Sequence, residues 1–262
     1  MRKRRFTQQN RFKLFIEKFV KSNVFFYKSA FVLKTFFFEK FFYETDLDGL
    51  KLIKFKKNST CIDVGSNVGQ SIEIFKHYFS KIYGFEPYSK NYQFLKKRYI
   101  NKKNIIISNL ALSDKKKLKK LYIPIYKKIE LHQSSSFYKN EALNTLSEFL
   151  NLEKKKINFK VKKITSIRFD NLEIKKFSFL KIDAEGHEYE ILKGFGNLLR
   201  NDIVILVENS SRSFRKCRKL LEKKNFYPYS FQNNSFKSID LNSLNVYFFK
   251  KKSKYMIQKY FY

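Results

Sequence analysis

The chain has 262 residues, which is enough for one large α/β domain with an appendage or for two small domains. Lys and Arg number 56 against 23 Asp and Glu, a formal net charge of +33 that favours an anionic partner. The lysines are scattered along a chain rich in Asn, Ile, Phe and Tyr, so an AT-rich coding sequence is an equally good explanation of this charge. Cys61 and Cys217 lie far apart without metal-ligand spacing, so neither a zinc site nor a disulfide scaffold is indicated.

The first 58 residues form a basic, aromatic segment that precedes the α/β pattern. Apolar residues with helical spacing predict an amphipathic helix, and they are Phe12, Phe15, Ile16, Phe19 and Val20. The apolar face of this helix could pack on the following domain, on a partner subunit or on an anionic membrane. The start lacks the apolar region and cleavage site of a secretory signal, and charges interrupt the aromatic run at 24–43. We therefore expect no transmembrane helix and a cytoplasmic location.

From Ser59 onward, short apolar runs alternate with helical stretches, as in β-α-β units that build a mostly parallel sheet. The first predicted elements are a strand at Thr60–Val64, a helix at about Val68–Phe79, a strand at Lys81–Pro87, a helix to about Ile100 and a strand at Asn104–Leu112. The pattern predicts a Rossmann-like α/β domain over 59–262.

The second half of this domain begins with a Lys-rich, less periodic stretch, about 114–160, which we interpret as an insertion that borders the site. It contains a hairpin strand at LKKLYIP and a polar loop at HQSSSF. The later predicted elements are a strand at KVKKITSI, a strand at Phe177–Ala184, a strand at Asp202–Asn209, a helix near Arg212–Lys224 and closing strands at FYPYSF and NVYFFK.

A glycine turn follows the first buried strand, in the segment CIDVGSNVGQ. Gly65 and Gly69 allow the backbone to turn tightly and to approach a ligand, while the free N–H groups of the next helix attract a carboxylate or phosphate. Glu86 ends the second strand, 23 positions after Asp63. An acidic residue at about this distance can accept hydrogen bonds from both hydroxyls of a ribose. The sequence therefore predicts a cofactor that contains adenosine.

The pattern of glycines distinguishes between such cofactors. A pyrophosphate needs the turn G-x-G-x-x-G, but Asn67 and Gln70 occupy its second and third glycine positions. S-adenosylmethionine has no phosphate, and the Asp63 carboxylate suits its ammonium group. A turn that serves only helix and strand packing is the alternative.

A second polar group, in the stretch FLKIDAEGHEYEILKGF, follows another buried strand. Asp183, Glu185, His187 and Glu188 stand at the carboxyl end of that strand. Ligands of open α/β sheets bind beyond the carboxyl ends of the strands. We therefore expect these side chains to face the same crevice as the glycine turn.

The motifs DVGSNVGQ, GFEP, NLALSD and KIDAEGHEYEILKG, in this order, resemble those of the FkbM family of S-adenosylmethionine-dependent methyltransferases. The resemblance covers about 59–210, and its last motif is the most specific. It implies a seven-stranded Rossmann-like sheet with one antiparallel strand, S-adenosylmethionine as cofactor, and O-methylation of a sugar or another small hydroxylated acceptor.

The resemblance also implies roles for individual residues. Cofactor contacts would come from Asp63, Gly65, Ser66, Asn67 and Gly69 at the methionine end, from Glu86 and Pro87 at the ribose, and from Asn109 and Ala111 near the adenine. Asp183, Glu185 and His187 would border the transferred methyl group. The choice of acceptor would be made by the insertion.

Methyl transfer to a hydroxyl requires the acceptor oxygen to be held in line with the methyl group, and it requires a proton acceptor. We interpret His187 as the general base because its unperturbed pKa is near neutrality, with Asp183 or Glu208 to take the proton or orient the ring. A histidine that only packs against the turn is the alternative. These side chains could also ligate a divalent metal, but their spacing matches no known signature, and we predict no metal site. His132 could reach the site, although a solvated loop position is the simpler interpretation.

Other functions compete with this one. The charge, and aromatic residues interleaved with lysine over 36–42, would suit a nucleic-acid methyltransferase, but no acceptor motif of amino-methylating enzymes is present. A non-catalytic binding module would be expected to lose Gly65, Gly69 or Glu86. An NAD-dependent oxidoreductase is disfavoured by Asn67 and Gln70. We therefore expect a small hydroxylated or glycan acceptor and no nucleic acid.

Overall fold

A computed structural model describes residues 45–126, 128–150, 154–209, 212–240, 243–251, 253–256 and 260. The predicted amphipathic helix and the aromatic run at 24–43 lie outside the described residues. The first described element is a 3-10 helix, Thr45–Leu52, which buries Leu47 and Leu50 in the core. In the part of the chain that is described, no helix has the length and apolar character needed to cross a membrane.

The described chain forms twelve strands and five α-helices. The strands are β1 (Thr60–Val64), β2 (Lys81–Phe85), β3 (Ile105–Ser108), β4 (Ala111–Leu112), β5 (Lys117–Tyr126), β6 (Ile129–Glu130), β7 (Asn158–Ile167), β8 (Phe179–Ile182), β9 (Val204–Glu208), β10 (Phe226–Gln232), β11 (Ser235–Ser238) and β12 (Asn245–Lys250). The helices are α1 (Gln70–Phe75), α2 (Ser89–Arg98), α3 (Lys139–Leu150), α4 (Glu188–Phe195) and α5 (Phe214–Glu222). Short 3-10 helices also occur at His132–Ser134, Lys154–Lys156, Phe169–Asn171 and Gly196–Arg200.

The main sheet has the strand order β11-β10-β12-β9-β8-β1-β2-β3. The pairs from β9 through β3 are parallel, whereas β12 is antiparallel to both of its neighbours and β11 is antiparallel to β10. Chain order reverses across the centre of the sheet, between β1 and β8. The predicted mostly parallel α/β sheet is confirmed, and ligands of such sheets bind at this reversal point.

The central strands are buried on both faces. In β9, Val204 and Leu206 belong to one hydrophobic cluster, while Ile205 and Val207 belong to the cluster on the other face. This explains why these strands appear in the sequence as continuous apolar runs, without the alternation of a sheet that has one solvated face. The charged residue in the centre of β8, Lys181, interrupts one such run.

The structure differs from the sequence prediction at the edge of the main sheet, where β11 adds an eighth strand. Two strands of the described sheet therefore run against the others, instead of one. Asn233 and Asn234 have φ values of 50° and 56° and link β10 to β11 in a two-residue hairpin. Turns of this type require positive φ at both positions, which asparagine tolerates.

The strand predicted at Asn104–Leu112 is two strands. β3 belongs to the main sheet, and β4 pairs with β7 in a second sheet of order β4-β7-β5-β6. The chain breaks between them at Asn109, whose side-chain amide donates to the carbonyls of Glu86 at 2.8 Å and Pro87 at 3.1 Å. The polar contact made by this side chain redirects the backbone.

The second sheet contains the stretch interpreted as an insertion. The strand at LKKLYIP is confirmed as β5, and it pairs antiparallel with β7 over nine residues, Lys117–Ile125 against Asn158–Ser166. The segment between them contributes α3 and the short 3-10 helix at His132–Ser134. This unit covers the carboxyl ends of the parallel strands.

Candidate active site

The turn after β1 is fixed by two backbone hydrogen bonds. The N–H groups of Gly65 and Ser66 donate to the last carbonyl of β2, at 3.0 and 3.2 Å. Gly65 has φ +84°, and a Cβ there would lie 1.8 Å from the carbonyl oxygen of Asp183, so a side chain cannot be accommodated. Asn67 has φ +50°, and Gly69 ends the turn at φ +88°. The backbone is thereby held close to the space above the sheet.

Glu86 follows β2 and connects two parts of the loop around it. Its Oε2 accepts a hydrogen bond from Asn67 N and its Oε1 accepts one from Tyr88 N, both at 2.8 Å. Burial raises the pKa of Glu86 to about 8, although both backbone donors favour the charged form. Each carboxylate oxygen has a second lone pair. Glu86 can therefore hold the loop and accept a ligand hydroxyl at the same time.

Three charged side chains, which we call the charged floor, lie together where β1 and β8 end. They are Asp63, Lys181 and Asp183. Asp63 and Lys181 are direct neighbours in the sheet register and are 0% and 3% exposed. Lys181 Nζ donates to Asp183 Oδ2 at 3.0 Å. Within the described residues, neither carboxylate oxygen of Asp63 has a hydrogen-bond partner. Burial raises the pKa of Asp63, and the positive charge of Lys181 opposes that effect.

A cleft with an empty volume of about 890 Å³, including its open mouth, lies above the charged floor. Its acidic lining residues in the described part of the chain are Glu86, Asp183 and Glu185, of which Glu86 is mostly protonated near neutral pH, and its one lysine is Lys181. The whole chain has 56 basic and 23 acidic residues. The cleft is therefore acidic in a strongly basic protein, which suits a cationic ligand better than a phosphate.

Residues 130–138, which we call the roof, cross the cleft and are bonded to both of its walls. On one side, Ser136 Oγ donates to the carbonyl of Glu185 at 2.6 Å. On the other side, the Tyr88 hydroxyl donates to the Glu130 carboxylate. The insertion is thereby attached both to the loop after β2 and to the turn after β8.

His132 belongs to the roof and lines the cleft. Its ring stacks on the ring of Tyr88, with centroids 6.3 Å apart. Burial lowers the pKa of His132 to about 4, so the ring is neutral at physiological pH. The solvated position preferred from the sequence is wrong. Ser135 and Phe137 also line the cleft from the roof.

His187 lies beside the cleft and is absent from its described lining. It is fully buried, with Nε2 3.0 Å from Ser113 Oγ and Nδ1 3.3 Å from the Tyr138 hydroxyl. The ring of Phe137 meets it edge-on at 4.9 Å. Burial, with a smaller contribution from the charge of Lys119, lowers the pKa of His187 to about 3. The structure therefore surrounds a neutral imidazole with hydroxyl and aromatic groups, and the Glu190 carboxylate lies 3.5 Å from its Nδ1.

Glu188 supports the turn after β8. Its Oε1 accepts hydrogen bonds from Ala184 N at 3.0 Å and Gly186 N at 2.9 Å, and the Ser213 hydroxyl donates to its other oxygen. Glu185, by contrast, lines the cleft. Glu188 is buried and holds the backbone that presents Asp183.

The structure brings together most of the predicted cofactor residues. Those that line the cleft are Gly65, Ser66, Asn67, Glu86, Pro87, Ala111 and Asp183. The predicted cofactor residues outside its lining are Asp63, Gly69 and Asn109, and the catalytic candidates His187 and Glu208 are outside it as well. Asn109 instead fixes the loop of Glu86 through its amide.

Sequence reasoning missed Lys181, and it did not assign Ser135, Ser136 or Phe137 to the site. A lysine within the apolar strand FLKI was a usable signal, because an unpaired charge is not buried there without cost. The roof residues gave no such signal, since their position depends on how the insertion folds back. Among the described residues, no group of three or more His, Cys, Asp or Glu side chains could hold a metal ion.

Comparison with known proteins gives one family match. A family model described as the methyltransferase FkbM domain matches residues 63–229. No curated protein matches the sequence.

Solved structures of low sequence identity also align with the chain. A methyltransferase FkbM from Methylobacillus flagellatus KT aligns with a TM-score of 0.49 and 14% identity, over 76% of this chain and 45% of that chain. The present chain thus spans less than half the length of that protein. Precorrin 8W decarboxylase from Methanobacterium thermoautotrophicum aligns with a TM-score of 0.43 and 11% identity, over 79% of this chain and 89% of that chain. A putative methyltransferase from Streptococcus mutans, solved in complex with SAH, aligns with a TM-score of 0.42 and 11% identity, over 79% of this chain and 96% of that chain.

Proposed function

The chain belongs to the FkbM family of methyltransferases, and from this we propose that it transfers a methyl group from S-adenosylmethionine to a hydroxyl of a sugar or another small acceptor. The observation that carries the proposal is the acidic cleft above the glycine turn. Asp183 and Glu185 face a ligand space with a single lysine, together with Glu86, which its raised pKa of about 8 keeps mostly protonated near neutral pH. A sulfonium cofactor without phosphates matches this distribution of charge, and a dinucleotide does not.

The residues of the cleft fit the two ends of the proposed cofactor. Glu86 has free acceptor capacity for ribose hydroxyls, and its two backbone donors hold it in place. Gly65 packs against the Asp183 carbonyl, and both residues line the cleft where the methionine end would lie. Asp63 is buried and has no hydrogen-bond partner among the described residues, so a nearby ammonium group would satisfy it.

When bound, S-adenosylmethionine supplies a methyl group already activated on a sulfonium. The protein then has to orient an acceptor hydroxyl, exclude water and receive a proton. We assign the role of proton acceptor to Asp183, because its side chain lines the cleft and Lys181 Nζ holds one of its oxygens by a hydrogen bond of 3.0 Å. His187 and Glu208, the other candidates, are outside the cleft lining.

The roof supplies the acceptor side of the proposed site. Ser135, Ser136 and Phe137 line the cleft together with Asp183. The Ser135 hydroxyl beside the Phe137 ring suits a hydroxylated acceptor that has one apolar face, whereas the Ser136 hydroxyl is already bonded to Glu185 and Tyr138. The bonds of the roof to both walls favour an acceptor small enough to fit beneath it.

The test is calorimetric titration of the full-length protein with S-adenosylmethionine, S-adenosylhomocysteine and NAD. We expect saturable binding of both sulfur ligands and none of NAD. Glu86→Ala should abolish binding, because it removes the acceptor for the ribose hydroxyls. Glu173→Ala, at an exposed position away from the cleft, is the matched control and should bind as the wild type does.

Absence of binding by correctly folded protein would refute the proposed activity. If the ligands bind, transfer of a labelled methyl group to monosaccharides, to other small hydroxylated compounds and to RNA would test the acceptor. Labelling of RNA alone would contradict a small acceptor.

A further inference from the structure

The strand order places three loops side by side at the carboxyl end of the main sheet. β2 pairs with β1 on one side and with β3 on the other, so the loops that follow these strands are neighbours. The glycine turn with Gly65 follows β1, Glu86 follows β2, and Leu110 lies in the loop after β3. All three residues line the cleft. Glu86 therefore lies between the glycine turn and the loop after β3.

The two ends of this row of loops differ in charge. Lys181, Asp183 and Glu185 line the cleft from β8 and the turn after it, and β8 pairs with β1 on the side away from β2. At the other end, beside β3, the cleft is lined by Leu110 and Ala111, which are apolar. The β3 end of the cleft therefore suits an uncharged, apolar part of a ligand.

Two residues of the insertion, Leu121 and His132, line the cleft and contact the loop after β2. The contact is made through Tyr88, whose N–H donates to Glu86 Oε1 at 2.8 Å. The buried Tyr88 ring belongs to the same hydrophobic cluster as Leu121, and the His132 ring stacks on it with centroids 6.3 Å apart. The insertion thereby places an imidazole ring beside the loop of Glu86.

The position of His132 is fixed by contacts of the roof two residues earlier. The Glu130 carboxylate accepts hydrogen bonds from the Tyr88 hydroxyl, from Lys90 Nζ at 2.8 Å and from Lys160 Nζ at 2.5 Å. Burial lowers the pKa of His132 to about 4, so the ring adds no charge to this end of the cleft near neutral pH. A flat, neutral ring that is already held in place can pack against another flat ring at little cost in conformational freedom.

We propose that His132 is a further cofactor-binding residue, whose ring forms the wall against which the adenine of S-adenosylmethionine packs. The inference rests on the proposed function, in which Glu86 accepts hydrogen bonds from the ribose hydroxyls. The adenine and the methionine chain are attached to opposite sides of that ribose. Since the methionine end lies at the glycine turn, the adenine lies on the other side of Glu86, at the apolar β3 end. The insertion thus binds the methyl donor as well as the acceptor.

The first test is calorimetric titration of full-length His132 variants with S-adenosylhomocysteine, which has the same adenosine. His132→Ala should weaken binding about tenfold, as expected when an aromatic ring that stacks on a base is removed. His132→Phe keeps a flat ring, and its affinity should stay within about threefold of the wild type. His77→Ala removes an exposed histidine and should bind as the wild type does.

Fluorescence provides a readout that a merely structural role of His132 would not change. The chain has no Trp, so His132→Trp places the only indole of the protein at the proposed wall. An adenine stacked on an indole quenches its fluorescence. We therefore expect S-adenosylhomocysteine to quench the emission of His132→Trp and to leave that of His77→Trp unchanged.

Wild-type affinity in His132→Ala would overturn the inference while the proposed activity stands. Binding of S-adenosylhomocysteine to His132→Trp without quenching would overturn it as well. If His132→Trp does not bind the ligand, the other two variants decide, because equal losses of affinity in His132→Ala and His132→Phe would mean that the ring is not a wall for the base. Failure of the wild type to bind S-adenosylhomocysteine refutes both the inference and the proposed activity.

Discussion

Replacement of Glu86 by glutamine should make the stability of the protein less dependent on pH. The side chain is 5% exposed, and burial raises its pKa from an ordinary 4.5 to about 8. A carboxyl group whose pKa is raised by folding contributes stability below its unfolded pKa, and that stability is lost as the pH rises through the folded value. The wild type should therefore lose stability, relative to Glu86→Gln, as the pH rises from about 5 to about 8.

The magnitude follows from the two pKa values. Their difference, at about 1.4 kcal/mol per pH unit, corresponds to about 5 kcal/mol in total, of which about 3 kcal/mol falls between about pH 5 and about pH 8. Urea unfolding of both proteins across this range gives the free energy of unfolding at each pH, and subtraction removes the titration of every other group.

The control for this experiment is Glu173→Gln, which removes an exposed carboxylate. Its stability should follow that of the wild type at each pH. A constant difference between wild type and Glu86→Gln would refute the reasoning, because it would mean that the hydrogen bonds from Asn67 and Tyr88 keep the Glu86 carboxylate charged throughout the range.

Three further replacements test other contacts. Gly65→Ala should lower the free energy of unfolding by about 2 kcal/mol or more in urea titrations, since its Cβ would meet the Asp183 carbonyl at 1.8 Å; an unchanged value would show that the turn can shift. In His187→Ala the free energy of unfolding should fall less on acidification than in the wild type. Folding lowers the pKa of His187 from an ordinary 6.5 to about 3, which costs the wild type about 2 kcal/mol between about pH 7 and about pH 5. Parallel stability curves for the two proteins would contradict this. Ser136→Ala should cost about 1 kcal/mol and accelerate S-adenosylhomocysteine dissociation in stopped-flow measurements, because it frees the roof from Glu185; an unaltered rate would exclude this contact as a restraint.

The central sheet was predictable because local pattern and burial agree there. The strands at Thr60–Val64 and Asp202–Asn209 appear as continuous apolar runs, and the structure places both in the middle of the sheet, covered on both faces. Gly65 and Gly69 were recognisable because positive φ favours glycine, and both have it. At these positions the local sequence is sufficient to predict the local structure.

Other features depend on contacts between distant residues. The break after β3 arises because the Asn109 amide reaches the carbonyls of Glu86 and Pro87, and NIIISNLAL alone reads as one strand. The two asparagines before β11 were a local signal for a hairpin turn. The strand that follows them is short, and nothing in the sequence indicates which strand it pairs with. The surroundings of His187 come from Ser113 and Tyr138, 74 and 49 positions away. No spacing within the motif around His187 could reveal them.

The acidic cleft within a chain of formal net charge +33 has a kinetic consequence for any cationic ligand. At a distance, the field of the whole protein repels such a ligand, while the carboxylates of the cleft attract it only at short range. Dissolved salt screens the distant repulsion over about 10 Å at 0.1 M but acts weakly on charges inside the cleft. Added salt should therefore increase the association rate of the methyl donor and decrease that of anionic competitors. For a protein and a ligand of opposite charge, added salt decreases the association rate.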